Sequence, residues 1–143
     1  MRIAEVLKRK AHEGVITITP EASVRELVAL LAEHNVGALI VSRDGSSVDG
    51  IVSERDVVRR LHGDPAVLES TIDSIMTSTV HTCEPQSSLD ELMVLMTQHR
   101  VRHVPVVLED RLVGIISIGD VVKNRMAELE FERDQLDSYV HGS

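Results

Sequence analysis

The sequence predicts a mixed α/β (α+β) fold in which two β-α-β-β-α repeats pack into one globule of two lobes. The first observation is an early segment, residues 15–20, whose pattern returns at 80–85 with an offset of 65. The second is a late segment, residues 50–56, whose pattern returns at 114–120 with an offset of 64, and both late segments have the sequence Gly-apolar-apolar-Ser-x-x-Asp. Because each half of the 143-residue chain is too short to bury both of its faces alone, the halves are expected to pack together.

The first repeat begins with a short strand. Residues 15–19 alternate branched side chains and end at Pro20, which favours a turn. Ser23 with Glu26 three residues later predicts the N-cap of a helix whose apolar positions largely share one face. That helix is expected to end at 35–37, and the repeat continues with an apolar strand at 38–41, a turn at 43–47, a strand at 48–53 and a short helix at 54–61.

The second repeat follows the same order. Residues 80–84 predict its first strand, and Ser88 with Glu91 repeats the N-cap pattern before a second apolar helix face. Its remaining elements are a strand at 104–108, a tight hairpin at 109–110, a strand at 112–117 and a helix that begins near 120 and runs past 136.

Short segments outside the repeats complete the predicted organisation. A leader helix is expected before each repeat, at residues 3–7 and again at 70–76, and residues 63–65 predict the linker between the copies. Three units follow from this division: residues 1–68 are repeat 1 with its leader helix, residues 69–127 are repeat 2 with its own leader helix, and residues 128–143 are a C-terminal helical tail.

Composition excludes several classes of function. The net charge of -8 and the pI near 5.3 oppose binding to nucleic acid or to an anionic membrane, since both require a basic surface. No segment approaches the roughly 20 apolar residues of a membrane span, and the N-terminus lacks the apolar run of a signal peptide. Cys83 is the only cysteine, so no intramolecular disulfide is possible. We expect a soluble cytoplasmic protein.

A known family shares these features. Strands end before Pro20 and Pro85, helices end in Asn-Val-Gly at 35–37 and Arg-Val-Arg at 100–102, and the Gly-x-x-Ser-x-x-Asp signature occurs twice. The segment at 99–106 is also typical. In these respects the chain resembles a tandem pair of cystathionine-β-synthase (CBS) domains, also called a Bateman module, over nearly its whole length except the tail.

The resemblance implies a pseudo-two-fold module with two symmetry-related clefts between the lobes. Such clefts commonly bind adenosine ligands, namely AMP, ADP, ATP, S-adenosylmethionine or NAD(H). The aspartate of the signature typically holds the ribose hydroxyls, the serine lies near the phosphate, and basic residues at the start of the middle strand often meet the phosphates. The resemblance also implies a homodimer formed through helical faces.

The residues themselves can perform this chemistry. Asp56 and Asp120 each come where a strand passes into a helix, and a carboxylate can accept hydrogen bonds from both ribose hydroxyls. A helix N-terminus adds free N–H groups that favour an anion. In the absence of a nearby aromatic residue, the adenine would lie between aliphatic side chains such as Val36 and Val101. The alternative for each Ser-x-x-Asp is plain helix capping.

The two halves differ at the start of the middle strand, where repeat 2 has Arg102 and His103 and repeat 1 has Gly37 and Ala38. Arginine offers phosphate a planar fork of donors, so this difference favours the Asp120 cleft. The resemblance then assigns to that cleft Ser117 and Asp120, with Arg102 and His103 on the phosphate and Thr19, Val36 and Gly37 around the base. The other cleft receives Ser53 and Asp56, with Arg55 and Arg59 as the only compensating cations.

Two other groups of residues give weaker indications of function. His81 and Cys83 alternate along one strand without a third ligand, so no metal site is predicted. In the tail, Met126, Leu129 and Leu136 form an apolar stripe that could pack on the module or on a partner.

Together these observations predict a regulatory module, not an enzyme. It would need no cofactor, bind an adenosine ligand between the repeats, sense energy state and signal to a partner protein. The alternative is a dimerisation or docking scaffold with vestigial clefts.

Overall fold

Repeat 1 folds in the predicted order and is preceded by α1 (Ile3–Arg9). The computed structural model describes residues 1–10 and 15–142. The elements of repeat 1 are β1 (Thr17–Ile18), α2 (Val24–His34), β2 (Ala38–Val41), β3 (Gly50–Ser53) and α3 (Glu54–Gly63). The three strands form one sheet in which β2 pairs parallel with β1 and antiparallel with β3. All four residues of β2 are buried, as their unbroken apolar sequence predicts.

Repeat 2 consists of α4 (Leu89–His99), β4 (His103–Leu108), β5 (Arg111–Ser117) and α5 (Ile118–His141). β4 and β5 pair antiparallel, with His103 opposite Ser117. Glu109 and Asp110, which join these strands, have φ angles of 51° and 63°. Positive φ at both central residues is the conformation of the tight type I′ hairpin, so the predicted hairpin is confirmed.

The predicted first strand of repeat 2, residues 80–84, is wrong in extent. Only a single parallel bridge forms there, between Cys83 and Val106. Pro105 takes the place that Ile40 has in repeat 1, where β1 and β2 pair at two positions. Because proline has no N–H to donate, the ladder cannot continue past this bridge.

Helices α2 and α4, which occupy equivalent places in the two repeats, are capped alike. Ser23 accepts a hydrogen bond from the Glu26 N–H, and Ser88 accepts one from the Glu91 N–H, each at 3.1 Å. These bonds confirm the predicted N-caps of α2 and α4. Both helices end at a residue in the left-handed conformation, Asn35 and Arg100, with φ of 53° and 55°. Asparagine adopts this conformation more readily than arginine does.

The leader segments pack on the opposite repeats. Ile3 and Val6 of α1 belong to the core that α4, β4 and β5 form in repeat 2, and the Ile3 N–H donates to the Ser87 carbonyl at 2.9 Å. Ile72 belongs to the core of repeat 1 and donates its N–H to the Ala22 carbonyl at 2.9 Å. The sequence assigns each leader to the repeat that follows it. In the structure, each leader instead packs on the other repeat, an arrangement that we call the exchange of the leaders.

The second leader also differs in conformation from the predicted helix. Residues 70–76 contain a short 3-10 turn (Ile72–Ser74), preceded by another (Pro65–Glu69). Neither turn is an α-helix. Ile72 and Ile75 are nonetheless buried, so the segment fills the core of repeat 1 as α1 fills that of repeat 2.

The tail continues α5 away from the cores. α5 has 24 residues, yet its buried residues are Val121 and Asn124 alone. Beyond these, the apolar side chains of Leu129, Phe131 and Leu136 are 49%, 64% and 65% exposed. Because α5 continues to His141, the predicted helical extension past Leu136 is confirmed. The described part of the chain leaves the apolar side chains of this extension exposed.

Candidate ligand-binding clefts

The glycine that opens each signature lies where a leader segment crosses the third strand of a repeat. A Cβ atom at Gly50 would stand 2.7 Å from the Met76 sulfur and 2.9 Å from the Thr77 carbonyl oxygen. At Gly114 it would stand 2.5 Å from a methyl carbon of Leu7. Real Cβ atoms essentially never approach within 3.0 Å, so both positions require the close approach that glycine permits.

Each signature ends at a helix N-terminus that its own serine and aspartate cap. The Ser53 hydroxyl accepts from the Asp56 N–H at 3.3 Å, and Asp56 Oδ2 accepts from the Ser53 N–H at 2.8 Å. Ser117 and Asp120 form the same pair of bonds at 3.2 and 2.9 Å. The capping alternative is therefore realised in both repeats.

Capping nevertheless leaves part of each carboxylate available. In both repeats the serine N–H and hydroxyl donate to the same oxygen, Oδ2 of the aspartate. From the described residues, no hydrogen bond reaches Oδ1 of Asp56 or Asp120. Since an ionised carboxylate accepts through both oxygens, each aspartate can cap its helix and still accept from a ligand hydroxyl.

The larger of two clefts between the repeats has a volume of about 460 Å³. It is lined by Ser53 and Asp56 from repeat 1 and by Val101, Arg102 and His103 from repeat 2. Small-molecule sites span about 300 to 1,000 Å³, so this cleft has room for a nucleotide-sized ligand. We call it the Asp56 cleft.

Positive charge is concentrated around the Asp56 cleft. Its lining residues include four arginines, namely Arg55, Arg59, Arg100 and Arg102, against two acidic residues. All four arginines are exposed, and none forms an ion pair with another described residue. In a chain of net charge -8, such a cluster of unpaired guanidinium groups is suited to binding an anion.

The second cleft is smaller, about 290 Å³, and largely apolar. It is lined by the end of α1, by Ile16 and Val36 of repeat 1 and by Gly114 and Ile115 of repeat 2. Lys10 also lines it. We call it the Asp120 cleft because Lys10 connects it to that carboxylate.

Lys10 is the cation of the Asp120 cleft. Its ammonium lies 2.9 Å from Asp120 Oδ2 and donates to the Ile115 carbonyl at 2.8 Å. Burial acts to raise the pKa of Asp120, but hydrogen bonds from the Ser117 N–H and from Lys10 outweigh it and hold that pKa below its usual value. Lys10 reaches this position because α1 packs on repeat 2, a contact that sequence reasoning did not find.

The structure divides the residues that the sequence assigns to one cleft. Arg102, His103 and Gly37 line the Asp56 cleft, whereas the sequence grouped them with Asp120. Val36 lines the Asp120 cleft, and Thr19, Ser117 and Asp120 are in the lining of neither cleft. The approach of the two repeats brings Ser53 at the end of β3 and His103 at the start of β4 to the same cleft.

His103 stands between the two clefts. Its backbone pairs with Ser117, while its imidazole lies 3.7 Å from the position of a Cβ on Gly37 in the other repeat. Burial lowers the pKa of His103, and the charge of Lys10 lowers it further. His103 is therefore a neutral hydrogen-bonding group at neutral pH, and the guanidinium groups supply the positive charge.

The Asp56 cleft is also lined by one of a pair of stacked histidines that the sequence did not indicate. His81 lines this cleft, and its ring stacks on that of His99 with centroids 3.7 Å apart and planes 17° from parallel. Val80 and Val101 line the same region. His81 lies in the predicted first strand of repeat 2 and His99 is the last residue of α4, so no sequence periodicity relates the two histidines.

Cys83 is buried, and burial raises the pKa of its thiol to about 11. Across residues 1–10 and 15–142, no group of three or more His, Cys, Asp or Glu side chains is arranged to hold a metal ion. Within the same residues, none of the helices has the length and apolar character needed to span a bilayer.

Two structurally equivalent repeats, each with a serine and an aspartate capping the helix that follows its last strand, define a paired-repeat module. The sequence model of the CBS domain matches residues 3–63 and 72–127. The chain therefore belongs to the CBS domain family, and the predicted fold class is confirmed.

Relatives and solved structures support this assignment. A mitochondrial CBS domain-containing protein of Arabidopsis thaliana is 34% identical, with 98% of this chain and 72% of the relative aligned. A CBS-domain protein of Agrobacterium tumefaciens has a crystal structure that matches with a TM-score of 0.82 at 41% identity, covering 87% of this chain and 99% of that one. A further CBS pair shares the fold, with a TM-score of 0.76, 24% identity and coverage of 86% and 98%, and was crystallised with 5′-methylthioadenosine and S-adenosylmethionine.

Proposed function

We propose that this chain is a regulatory module that binds an adenosine-containing ligand between its two repeats and transmits the occupancy to a partner protein. The observation that carries the proposal is the Asp56 cleft, whose lining combines Asp56 with four arginines. Among the described residues, none donates a hydrogen bond to Asp56 Oδ1 and none forms an ion pair with these arginines. The carboxylate is suited to ribose hydroxyls and the guanidinium groups to phosphate. AMP, ADP, ATP and NAD(H) combine both features, and S-adenosylmethionine has the ribose alone.

The Asp56 cleft is the principal site in this proposal. It has the larger volume, and no cation of the described residues forms an ion pair with Asp56, whereas Lys10 is paired with Asp120. Arg102 is the residue most directly suited to the phosphate, because it enters the cleft from the start of β4. The Asp120 cleft would take the same class of ligand more weakly.

A thermal-shift panel tests this proposal. Purified protein is melted with AMP, ADP, ATP, NAD, NADH and S-adenosylmethionine, and the panel is repeated on Asp56→Ala and Asp120→Ala. A ligand at about 100 times its Kd adds about 2.7 kcal/mol to the free energy of unfolding, which raises Tm by several degrees. We expect a shift that Asp56→Ala removes and Asp120→Ala keeps. No shift with any ligand at millimolar concentration would refute the proposal.

Signalling also requires an assembly, and we propose a homodimer formed through α3 and α5. Val58 and Val122 occupy equivalent positions in the two repeats and are 65% and 50% exposed, and Met126 is 56% exposed beside them. Apolar side chains at equivalent positions on two helices favour a self-complementary contact. Ligand binding would act on a partner only if it favours one arrangement of the repeats or subunits.

The same apolar side chains favour a second candidate function, a dimerisation scaffold with vestigial clefts. Light scattering on the wild type and on Val58→Asp with Val122→Asp measures the assembly. A dimer that the substitutions dissociate, together with melting that is insensitive to every adenosine ligand, would favour the scaffold. A monomeric wild type at micromolar concentration would exclude the proposed dimer.

A further inference from the structure

The Asp56 cleft has a flat aromatic surface in a chain that is almost without aromatic residues. Phe131 and Tyr139 are the only Phe and Tyr residues, and both lie in the exposed tail on α5. His81 and His103, by contrast, both line the cleft. Imidazole groups are therefore the aromatic groups in the described lining of this cleft, and the ring of His81 is stacked on a second imidazole.

The orientation of this ring is set by a second imidazole. The His81 and His99 rings are 3.7 Å apart and within 17° of parallel, which is van der Waals contact between two flat faces. His99 is the last residue of α4, so a helix holds it in place. Contact on one face restrains the tilt of the His81 ring, and a restrained ring loses less conformational entropy when a ligand stacks on it.

The pseudo-symmetry of the chain provides a comparison within the same molecule. At an offset of 65 residues, His81 corresponds to Ile16 and His99 corresponds to His34. Ile16 and His34 both line the Asp120 cleft. That cleft therefore has an aliphatic side chain at the position where the Asp56 cleft has His81, and its own imidazole residue is His34. Of the two clefts, the Asp56 cleft combines a ring at the His81 position with the four arginines.

We propose that the purine base of the ligand stacks on His81 in the Asp56 cleft, with His99 as the positioning residue behind that ring. This inference rests on the proposed function and replaces the purely aliphatic base pocket that Val36 and Val101 suggested. Stacking adds affinity for a planar base and none for a phosphate chain. His81 then makes the cleft select a nucleotide over a ligand that has phosphates but no base.

Calorimetry with two probes, ATP and inorganic tripolyphosphate, separates the base from the phosphates. The variants are His81→Ala, His81→Ile, which reproduces repeat 1, His81→Phe, which keeps a flat ring, and His99→Ala. His34→Ala, the equivalent of His99 in the other cleft, is the matched control. Base stacking on an aromatic side chain corresponds to a loss of about 5-fold to 100-fold in affinity when the ring is removed.

We expect His81→Ala and His81→Ile to weaken ATP binding by about 5-fold to 100-fold. His81→Phe and His34→Ala should bind ATP as the wild type does, and His99→Ala should bind it several-fold more weakly. The affinity for tripolyphosphate should be the same in all variants. Two results would overturn the inference alone: His81→Ile that binds ATP like the wild type, or a loss of the same size for both probes. If the wild type binds none of the adenosine ligands of the thermal-shift panel at millimolar concentration, the proposed function fails and the inference fails with it.

Discussion

The ion pair between Lys10 and Asp120 joins the exchanged leader helix to the signature of repeat 2, and Lys10→Met tests it. The ammonium lies 2.9 Å from Asp120 Oδ2, and the two side chains are 33% and 21% exposed. An ion pair of this partial exposure contributes about 1 kcal/mol after solvent screening. The hydrogen bond from Lys10 to the Ile115 carbonyl adds a similar amount. We therefore expect Lys10→Met to lower the free energy of unfolding by about 1 to 2 kcal/mol at neutral pH.

The pH dependence identifies the charge as the cause. The pKa of Asp120 in the folded protein is below its usual value of 3.8, so the stability that this carboxylate contributes is present above that value. It is lost as the pH falls through the lower pKa of the folded state, where Asp120 takes up a proton. The part of the difference between wild type and Lys10→Met that comes from the ion pair should shrink across that same acidic range.

Urea denaturation followed by far-UV circular dichroism, from neutral pH down to about pH 3, measures this difference. Lys8→Met is the matched control, because Lys8 is exposed on the same helix and its loss changes the net charge equally. The reasoning is refuted if Lys10→Met is no less stable than Lys8→Met at neutral pH. It is also refuted if the whole difference persists unchanged after Asp120 is protonated, because packing rather than charge would then explain it.

Two further predictions concern the glycine of the signature and the cysteine. Gly50→Ala should lower the free energy of unfolding by about 2 to 4 kcal/mol, because the new Cβ meets the Thr77 carbonyl and strains the two backbone hydrogen bonds between Ile51 and Thr77. Gly114→Ala should lower it by only about 1 to 2 kcal/mol, because the new Cβ meets only the flexible Leu7 side chain. Urea denaturation of both variants checks this, and an equal or larger loss for Gly114→Ala would contradict it. Cys83 should react with a thiol reagent only on unfolding at neutral pH, since its pKa is about 11 and it is buried, so rapid labelling of the native protein would contradict that burial.

The two clefts show how one duplicated signature can serve two different roles. Both repeats keep the serine and aspartate that cap a helix and leave one carboxylate oxygen free. Their surroundings differ, since one aspartate faces arginines and the other pairs with Lys10. Equivalent backbone positions therefore have different charged neighbours, and in the proposed function the Asp56 cleft binds the anionic ligand more tightly than the Asp120 cleft does.

The sequence alone determined the repeat frame, the order of elements within each repeat and the position of each signature. These features depend on local physics: alternating branched residues favour a strand, Ser23 and Ser88 cap the helices that follow them, and an apolar stripe of helical period marks a buried face. The family assignment depended on the same local pattern occurring twice. Where a single residue changed the local physics, as Pro105 does by lacking an N–H, the predicted strand was shortened.

The tertiary structure decided which residues meet across the pseudo-two-fold axis. The exchange of the leaders brings Lys10 to Asp120, and the approach of the repeats places Arg102 with Asp56 rather than with the aspartate of its own repeat. The stacking of His81 on His99 likewise joins a strand position to a helix end. Such contacts join residues far apart in the chain, so no local periodicity reports them, and only the packing of the two cores determines which charge and which ring each cleft receives.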